Sequence, residues 1–450
     1  MQSDAVARQI VSLWATSLSS REFDVEMQDL VLVSVDDRLV EPPDLFDKHI
    51  PAKYKKDVPK LIQREDGTDA WVFEGQEATN VGLNAVAGRP PEEYGTEPTK
   101  LSEIREGCYD IHERIRDMNA NGVAAAMNFP SFPQFCGQYF ARARDKDLGL
   151  AVLRAYNDWH IDQWCGAYPG RMIPQALPPI WEPMLMAEEV RRVAKKGCHA
   201  VTFSENPTKL GYPSLHDPHW DPFWRACSDE NTVVNLHIGS SSSVVITSPD
   251  APVDTMMTLQ PMSIVQAAAD LIWSPMLRRF PDVTFALSEG GIGWVPYFLE
   301  RIDRVYTMHR AWTHQDFGGR LPSEVFLDRV ALCFIDDAFG VESRHHLNLD
   351  MVTWECDYPH SDATRPRSPE VLAGYITDVP DDEVDRITHS NALRLYSFDM
   401  FKHLPKDELT VGALRAQATD VDLGFRSSER LRKPGTEAVT VMDLAKGLPA

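Results

Sequence analysis

Five apolar runs of this chain each stop at a side chain able to hold a metal ion or move a proton. Leu30 to Val35 ends at Asp36, Val201-Thr202-Phe203 at Ser204-Glu205, and Val233-Val234-Asn235-Leu236 at His237. Val283 to Leu287 meets Ser288-Glu289, and Met351 to Trp354 leads through Glu355-Cys356 to Asp357 and His360. Two imidazoles with several carboxylates form a hard, oxygen-rich donor set, which suits Fe, Mn or Mg better than a thiolate-based zinc site. Such a set can also hold two ions, typically ~3.5–4 Å apart. The expected metal ligands are therefore Asp36, Glu205, His237, Glu289, Asp357 and His360, with Glu205 placed to bridge two ions. Gly290-Gly291 after Glu289 permits close backbone approach, and Pro359 stiffens the turn that presents Asp357 and His360. Glu41 and Asp362 stand between ligand and loop roles.

For these groups to meet, the runs have to be parallel strands whose carboxyl ends converge. Short β-branched runs alternating with helical patterns predict that arrangement. IHERIRDMNANG reads as a helix stopped at Asn-Gly, followed by the strand VAAAMNF. RMIPQAL, HAVTF, VVNLHIG, VTFALSE, RVALCFI and MVTWECDYPH follow as further strands. The fold class expected is α/β, a (β/α)8 TIM barrel over residues 30–400, which works at the carboxyl ends of its strands. Residues 1–29 read as an N-terminal helical arm and 401–450 as a C-terminal extension. Residues 42–103, rich in Pro, Gly and charge, are a long insertion after the first strand and are expected to act as a lid or recognition element. Trp224, Trp294 and Tyr358, near the predicted mouth, are the expected substrate contacts.

With 450 residues and 43% hydrophobic content, the chain can bury a barrel-sized core. A net charge of −22 argues against nucleic acid or an anionic membrane as partner. The seven cysteines are scattered without a CxxC pair, which fits reduced thiols in a cytoplasmic protein. No segment has the ~20 apolar residues needed to span a bilayer, and the N-terminus lacks the basic and apolar regions of a signal peptide. The arm and the extension make a homodimer the expected assembly.

The strings VSVDDRLVEPPDLF, HIGSS, SEGGIGWVPYFLER and WECDYPHSD resemble the second amidohydrolase group, TIM-barrel metalloenzymes related to aminocarboxymuconate semialdehyde decarboxylase. The resemblance spans roughly residues 30 to 400 and implies ligands on the first, fifth, sixth and eighth strands. By position these fall on Asp36, Arg38, His237, Glu289 and Asp357. Two residues depart from the pattern: Arg38 stands where the first strand usually offers His, and Glu289 replaces the sixth-strand His. An arginine guanidinium stays protonated and does not ligate metal, so Arg38 is expected to pair with Asp36 or a substrate carboxylate. Arg38, Glu205 and Asp357 are the expected catalytic groups. The chain is also similar to a branch that includes a nonheme diiron monooxygenase acting on a diterpenoid linked to coenzyme A. That likeness implies two Fe ions, O2 as co-substrate, an external electron donor, and hydroxylation of an unactivated carbon in secondary metabolism. The substrate would be a bulky apolar terpenoid or acyl group, CoA-linked. The alternative is a hydrolase or decarboxylase using Zn or Mn, with Asp357 as general base. A third reading, suggested by Arg38, is a barrel that has lost its chemistry and only binds a ligand or partner.

Overall fold

The computed structural model describes residues 26–95, 97–427 and 438–443. Of the expected N-terminal arm, residues 1–25 lie outside this range, and Met27–Asp29 form a single 3-10 turn. Eight short parallel strands follow the predicted runs: β1 (Leu32–Arg38), β5 (Val123–Phe129), β6 (Met172–Ile173), β7 (Ala200–Ser204), β8 (Val233–His237), β9 (Phe285–Ser288), β10 (Val330–Phe334) and β11 (Val352–Trp354). They form a three-stranded sheet, β1-β5-β6, and a five-stranded sheet, β7-β8-β9-β10-β11. A parallel bridge between Ala176 and Val201 joins β6 to β7. On the other side, the Asp357 amide donates to Asp36 O at 2.9 Å and the Arg38 amide to Tyr358 O at 2.7 Å, so β11 runs on against β1. The ring of eight is the α/β barrel expected from the sequence.

Alternation along each strand sorts side chains between two layers. Val33, Val35, Ala125, Met127, Ile173, Ala200, Val233 and Ala331 fill the interior. Leu32, Ala126, Val201, Phe203, Val234, Leu236, Phe285 and Leu287 face the surrounding helices. The register between β1 and β5 shifts between Ser34 and Asp37. This irregularity leaves Ser34 and Asp37 hydrogen-bonded on one side, at 2.8 Å, while Asp36 and Arg38 point to the other. The helix Ile111–Asn121 starts where Asp110 accepts the His112 and Glu113 amides and stops at Gly122, φ 78°.

The insertion builds its own antiparallel sheet from β2 (Lys60–Gln63), β3 (Asp69–Phe73) and β4 (Gln76–Ala78). Trp71 stacks on Phe132 with ring centroids 4.2 Å apart, which seats this sheet on the loop after β5. Farther along, the Val86 and Ala87 amides both donate to Pro359 O, and Asn84 Nδ2 donates to Ser361 Oγ at 3.0 Å. The insertion therefore braces the turn that carries His360. In the C-terminal region the helix Val411–Ala416 closes over the start of β1, with the Val411 amide donating to Leu30 O at 2.8 Å. Residues 428–437 and 444–450 of the expected extension lie outside the described range. Among the described residues, no helix is long and apolar enough to cross a membrane.

Candidate metal centre

Asp36 and Arg38 at the end of β1, His237 at the end of β8, Glu289 just past β9, and Asp357 and His360 past β11 meet at one rim of the barrel. Glu289 (φ 59°) and Asp357 (φ 58°) take left-handed backbone, a conformation L residues adopt rarely and that clusters at functional sites.

His237 sets the geometry. Its Nδ1 lies 2.5 Å from Ile238 O, so the proton of the neutral ring sits on Nδ1 and Nε2 presents a lone pair. Burial, reinforced by Arg38, pulls its pKa down to about 4, so the ring is neutral at pH 7. Around Nε2 stand the carboxylate oxygens Glu289 Oε2 at 2.9 Å and Asp36 Oδ2 at 3.3 Å. Donors bound at ~2.0–2.2 Å to a divalent ion lie ~3.0–3.4 Å from one another, close to this spacing. A second group adjoins the first: Glu289, Asp357 and His360 each offer an atom, all within 4.8 Å of one another. His360 Nδ1 is 3.0 Å from Asp357 Oδ1 and 4.0 Å from Glu289 Oε1. Glu289 thus turns one oxygen toward each group.

The only cation in close contact with these groups among the described residues is Arg38. Its Nη2 is 2.7 Å from His237 Nε2 and 3.2 Å from Glu289 Oε2, and its Nε donates to His360 Nδ1 at 3.2 Å. Phe135 covers the guanidinium at 4.0 Å and stacks on the His237 ring at 4.3 Å. Despite burial, Glu289 is pulled down to about 2, by His237 first and then by Arg38 and His360. One guanidinium does not balance four carboxylates. Burial and the neighbouring acids push Asp36, Glu355 and Asp357 well above the usual carboxylate range. Both Asp36 oxygens, Glu355 Oε1 and Asp357 Oδ1 are buried without a hydrogen-bond partner. Buried acceptors left in this state are costly unless a cation meets them. The residues present fit a divalent metal ion.

Several expectations change. Glu205 stands apart from the group: Ser240 Oγ donates to one of its oxygens and Ser241 Oγ to the other at 2.6 Å. These hydroxyls hold its carboxylate in the loop after β8. Trp224 is packed among Phe203, Phe223 and Phe285 on the helical side of the barrel, away from the rim. Tyr358 also faces outward, its hydroxyl donating to Asp117 Oδ2 at 2.7 Å. Trp294 is half-buried, held by its indole N–H on Gly290 O and Gly291 O beside Glu289. Glu41 has a loop role, accepting the Ser131 and Phe132 amides at 3.0 Å. Asp362 is exposed. Sequence reasoning passed over Glu355, which lies beneath the site and accepts Cys333 Sγ at 2.7 Å and the Glu289 amide at 3.4 Å. The signal was present, since Glu355 lies two residues before Asp357 on the continuation of the same strand. Phe135 carries no such signal.

A family model described as amidohydrolase matches residues 104–398. The chain belongs to the amidohydrolase family. The match takes in Glu205, His237, Glu289, Glu355, Asp357 and His360 and begins after β1, the strand that carries Arg38. Members of this family are metal-dependent enzymes. Solved structures share the fold at low identity. An amidohydrolase from Mycobacterium avium subsp. paratuberculosis superposes with a TM-score of 0.62 at 18% identity, over 81% of this chain and 99% of its own. The 5-carboxyvanillate decarboxylase LigW from Sphingomonas paucimobilis gives 0.56 at 18% identity, over 82% and 100%. A 5-carboxyvanillate decarboxylase from Novosphingobium aromaticivorans, solved with manganese and 4-hydroxy-3-methoxy-5-nitrobenzoic acid, gives 0.55 at 18% identity, over 84% and 100%.

Proposed function

We propose that this chain is a divalent-metal-dependent enzyme acting on a small carboxylic acid, and that its reaction is the non-oxidative loss of CO2. The observation that carries the reading is the meeting at one rim of two donor groups that share Glu289: His237 Nε2 with Glu289 Oε2 at 2.9 Å and Asp36 Oδ2 at 3.3 Å, and Glu289, Asp357 and His360 with ligand atoms within 4.8 Å of one another. His237 and Glu289 would hold the ion together with Asp36 or, on the other side of Glu289, His360, and Zn or Mn would suit the set. When bound, the ion supplies Lewis-acid polarisation of a substrate oxygen. Asp357 supplies the proton. Burial and the nearby Glu289 charge hold its carboxyl protonated above the usual range, and His360 fixes its orientation at 3.0 Å. As the carbon–carboxylate bond breaks, its electron pair stays on the substrate carbon, which takes the Asp357 proton; water then restores the acid. The reaction consumes one proton and needs no electron donor. Decarboxylases among the solved structures of the same fold support the assignment by analogy.

A second reading has an observation of its own. Glu289 presents one oxygen to the His237–Asp36 group and the other to the Asp357–His360 group, an arrangement suited to two ions. With iron in both, O2 and an external reductant, the site would belong to an oxygenase of a bulky, CoA-linked substrate. The deciding experiment is carried out under argon with protein reconstituted in Mn or Zn. CO2 release is followed from a panel of aromatic and unsaturated carboxylic acids that includes 5-carboxyvanillate. Release without oxygen that disappears in Asp357→Asn, with an unchanged circular dichroism spectrum, supports the lyase. Substrate-dependent oxygen uptake by the Fe(II) protein, with no anaerobic CO2 release, replaces it by the oxygenase. A protein that binds no divalent ion overturns both.

A further inference from the structure

We infer that Arg38 is a built-in competitor of the metal: its guanidinium holds the donor atoms together while no ion is bound and has to withdraw from them when one enters. The inference rests on the metal-dependent reading above and deepens it. Arg38 reaches into both donor groups at once, through Nη2 to His237 Nε2 (2.7 Å) and Glu289 Oε2 (3.2 Å) and through Nε to His360 Nδ1 (3.2 Å). With the His237 proton on Nδ1 against Ile238 O, the ring has one lone pair to give, and Arg38 Nη2 already takes it. A lone pair directed at a metal ion is closed to a hydrogen-bond donor, so the two cannot share it. An arginine cannot step aside by losing its proton; it has to move. Two cations within ~4 Å in a poorly screened interior also repel strongly. Phe135 packs on both the guanidinium and the His237 ring and registers the exchange. In the resting site the guanidinium pairs with the Glu289 carboxylate, so an entering ion has to displace an existing contact and binds more weakly than the donor set alone allows.

Chelator-treated protein is titrated with Mn(II) by calorimetry and with Co(II) by visible absorption. Wild type is compared with Arg38→Met and Arg38→Lys, and Asp36→Asn serves as the ligand control. Loss of a charge-assisted hydrogen bond to the ligating nitrogen should tighten binding in Arg38→Met by about ten- to a hundredfold, with Arg38→Lys in between. The ion-induced rise in Tm should be larger in Arg38→Met than in wild type. Equal or weaker binding by Arg38→Met overturns the inference and leaves the metal reading standing. No binding by wild type, Arg38→Met or Arg38→Lys overturns both. If Arg38→Met does not fold, the metal-loaded wild-type crystal structure decides: Arg38 Nη2 away from His237 Nε2 supports the exchange, and Nη2 still within hydrogen-bond reach of it overturns it.

Discussion

Asp36 and Glu205 are both strand-end carboxylates, and the contrast between them shows what leaves a carboxylate open to a metal ion. Glu205 is met by two serine hydroxyls from the loop after β8. Asp36 has both oxygens buried with no donor, facing Glu355, Glu289 and Asp357. A charge in that position weakens the metal-free fold and is repaid only when a cation arrives. Replacing Asp36 by the isosteric Asn should therefore stabilise the chelator-treated protein by about 1–2 kcal/mol and abolish its stabilisation by Mn(II). Glu205→Gln should do the reverse: it weakens two charge-assisted hydrogen bonds, costs about 1–2 kcal/mol, and leaves the Mn(II) response intact. Urea unfolding with and without the ion reads both. If Asp36→Asn still responds fully to Mn(II), Asp36 is no ligand.

At the scale of elements, the strands and the stops of the helices were the legible part. Each predicted run became a strand because β-branched and small apolar residues fill both faces of a parallel ring. The Asn121-Gly122 stop is structural in a second sense, because the helix end it makes is where the C-terminal region docks. At Gly122, φ is 78°, and a Cβ added there would come within 2.9 Å of Val411 Cγ1 and 3.2 Å of Pro369 Cγ. Gly122→Ala should cost more than about 1 kcal/mol, because backbone strain and the displaced Val411 act together. Val411→Ala in the same background should recover part of that loss if the contact is responsible, and thermal unfolding of both variants tests it. Less legible were features set by direction rather than period. A strand-end position does not say whether a loop serine will intercept a carboxylate, as happens to Glu205. An aromatic beside a strand can pack on the outer helices, as Trp224 does, or turn behind the barrel, as Tyr358 does. The register irregularity in β1, which brings Ser34 and Asp37 to the same side although they are three residues apart, leaves no trace in the hydrophobic pattern.

Across the whole molecule the net charge is −22, while the barrel buries imidazoles whose pKa burial lowers. His160 is the simplest case. It opens a short π-helical segment, lies fully buried beside Tyr156 and Cys165, and is lowered to about 4 by burial alone. The unfolded chain takes up this proton near the ordinary value of ~6.5, whereas the folded chain resists it until about 4. Below pH 6.5 the unfolded state thus binds more protons, and stability falls as the pH drops. The contribution of His160 is fully present above pH ~6.5 and lost progressively on the way to pH 4, on the order of 3 kcal/mol in all. Asp37 and Glu41, both raised by burial to about 7, act with the opposite sign and lose their contribution as the pH rises through neutrality. The raw pH profile therefore mixes both effects, and the difference between wild type and a variant isolates one. His160→Phe keeps an aromatic ring against Tyr156 but cannot titrate. Measured by Tm between pH 8 and pH 4, the wild type should lose stability more steeply than His160→Phe below pH 6.5, with the two curves parallel above it. Parallel curves over the whole range would mean that His160 takes up its proton in the folded chain as readily as in the unfolded one, and that the acid sensitivity originates in other groups, such as the buried His389.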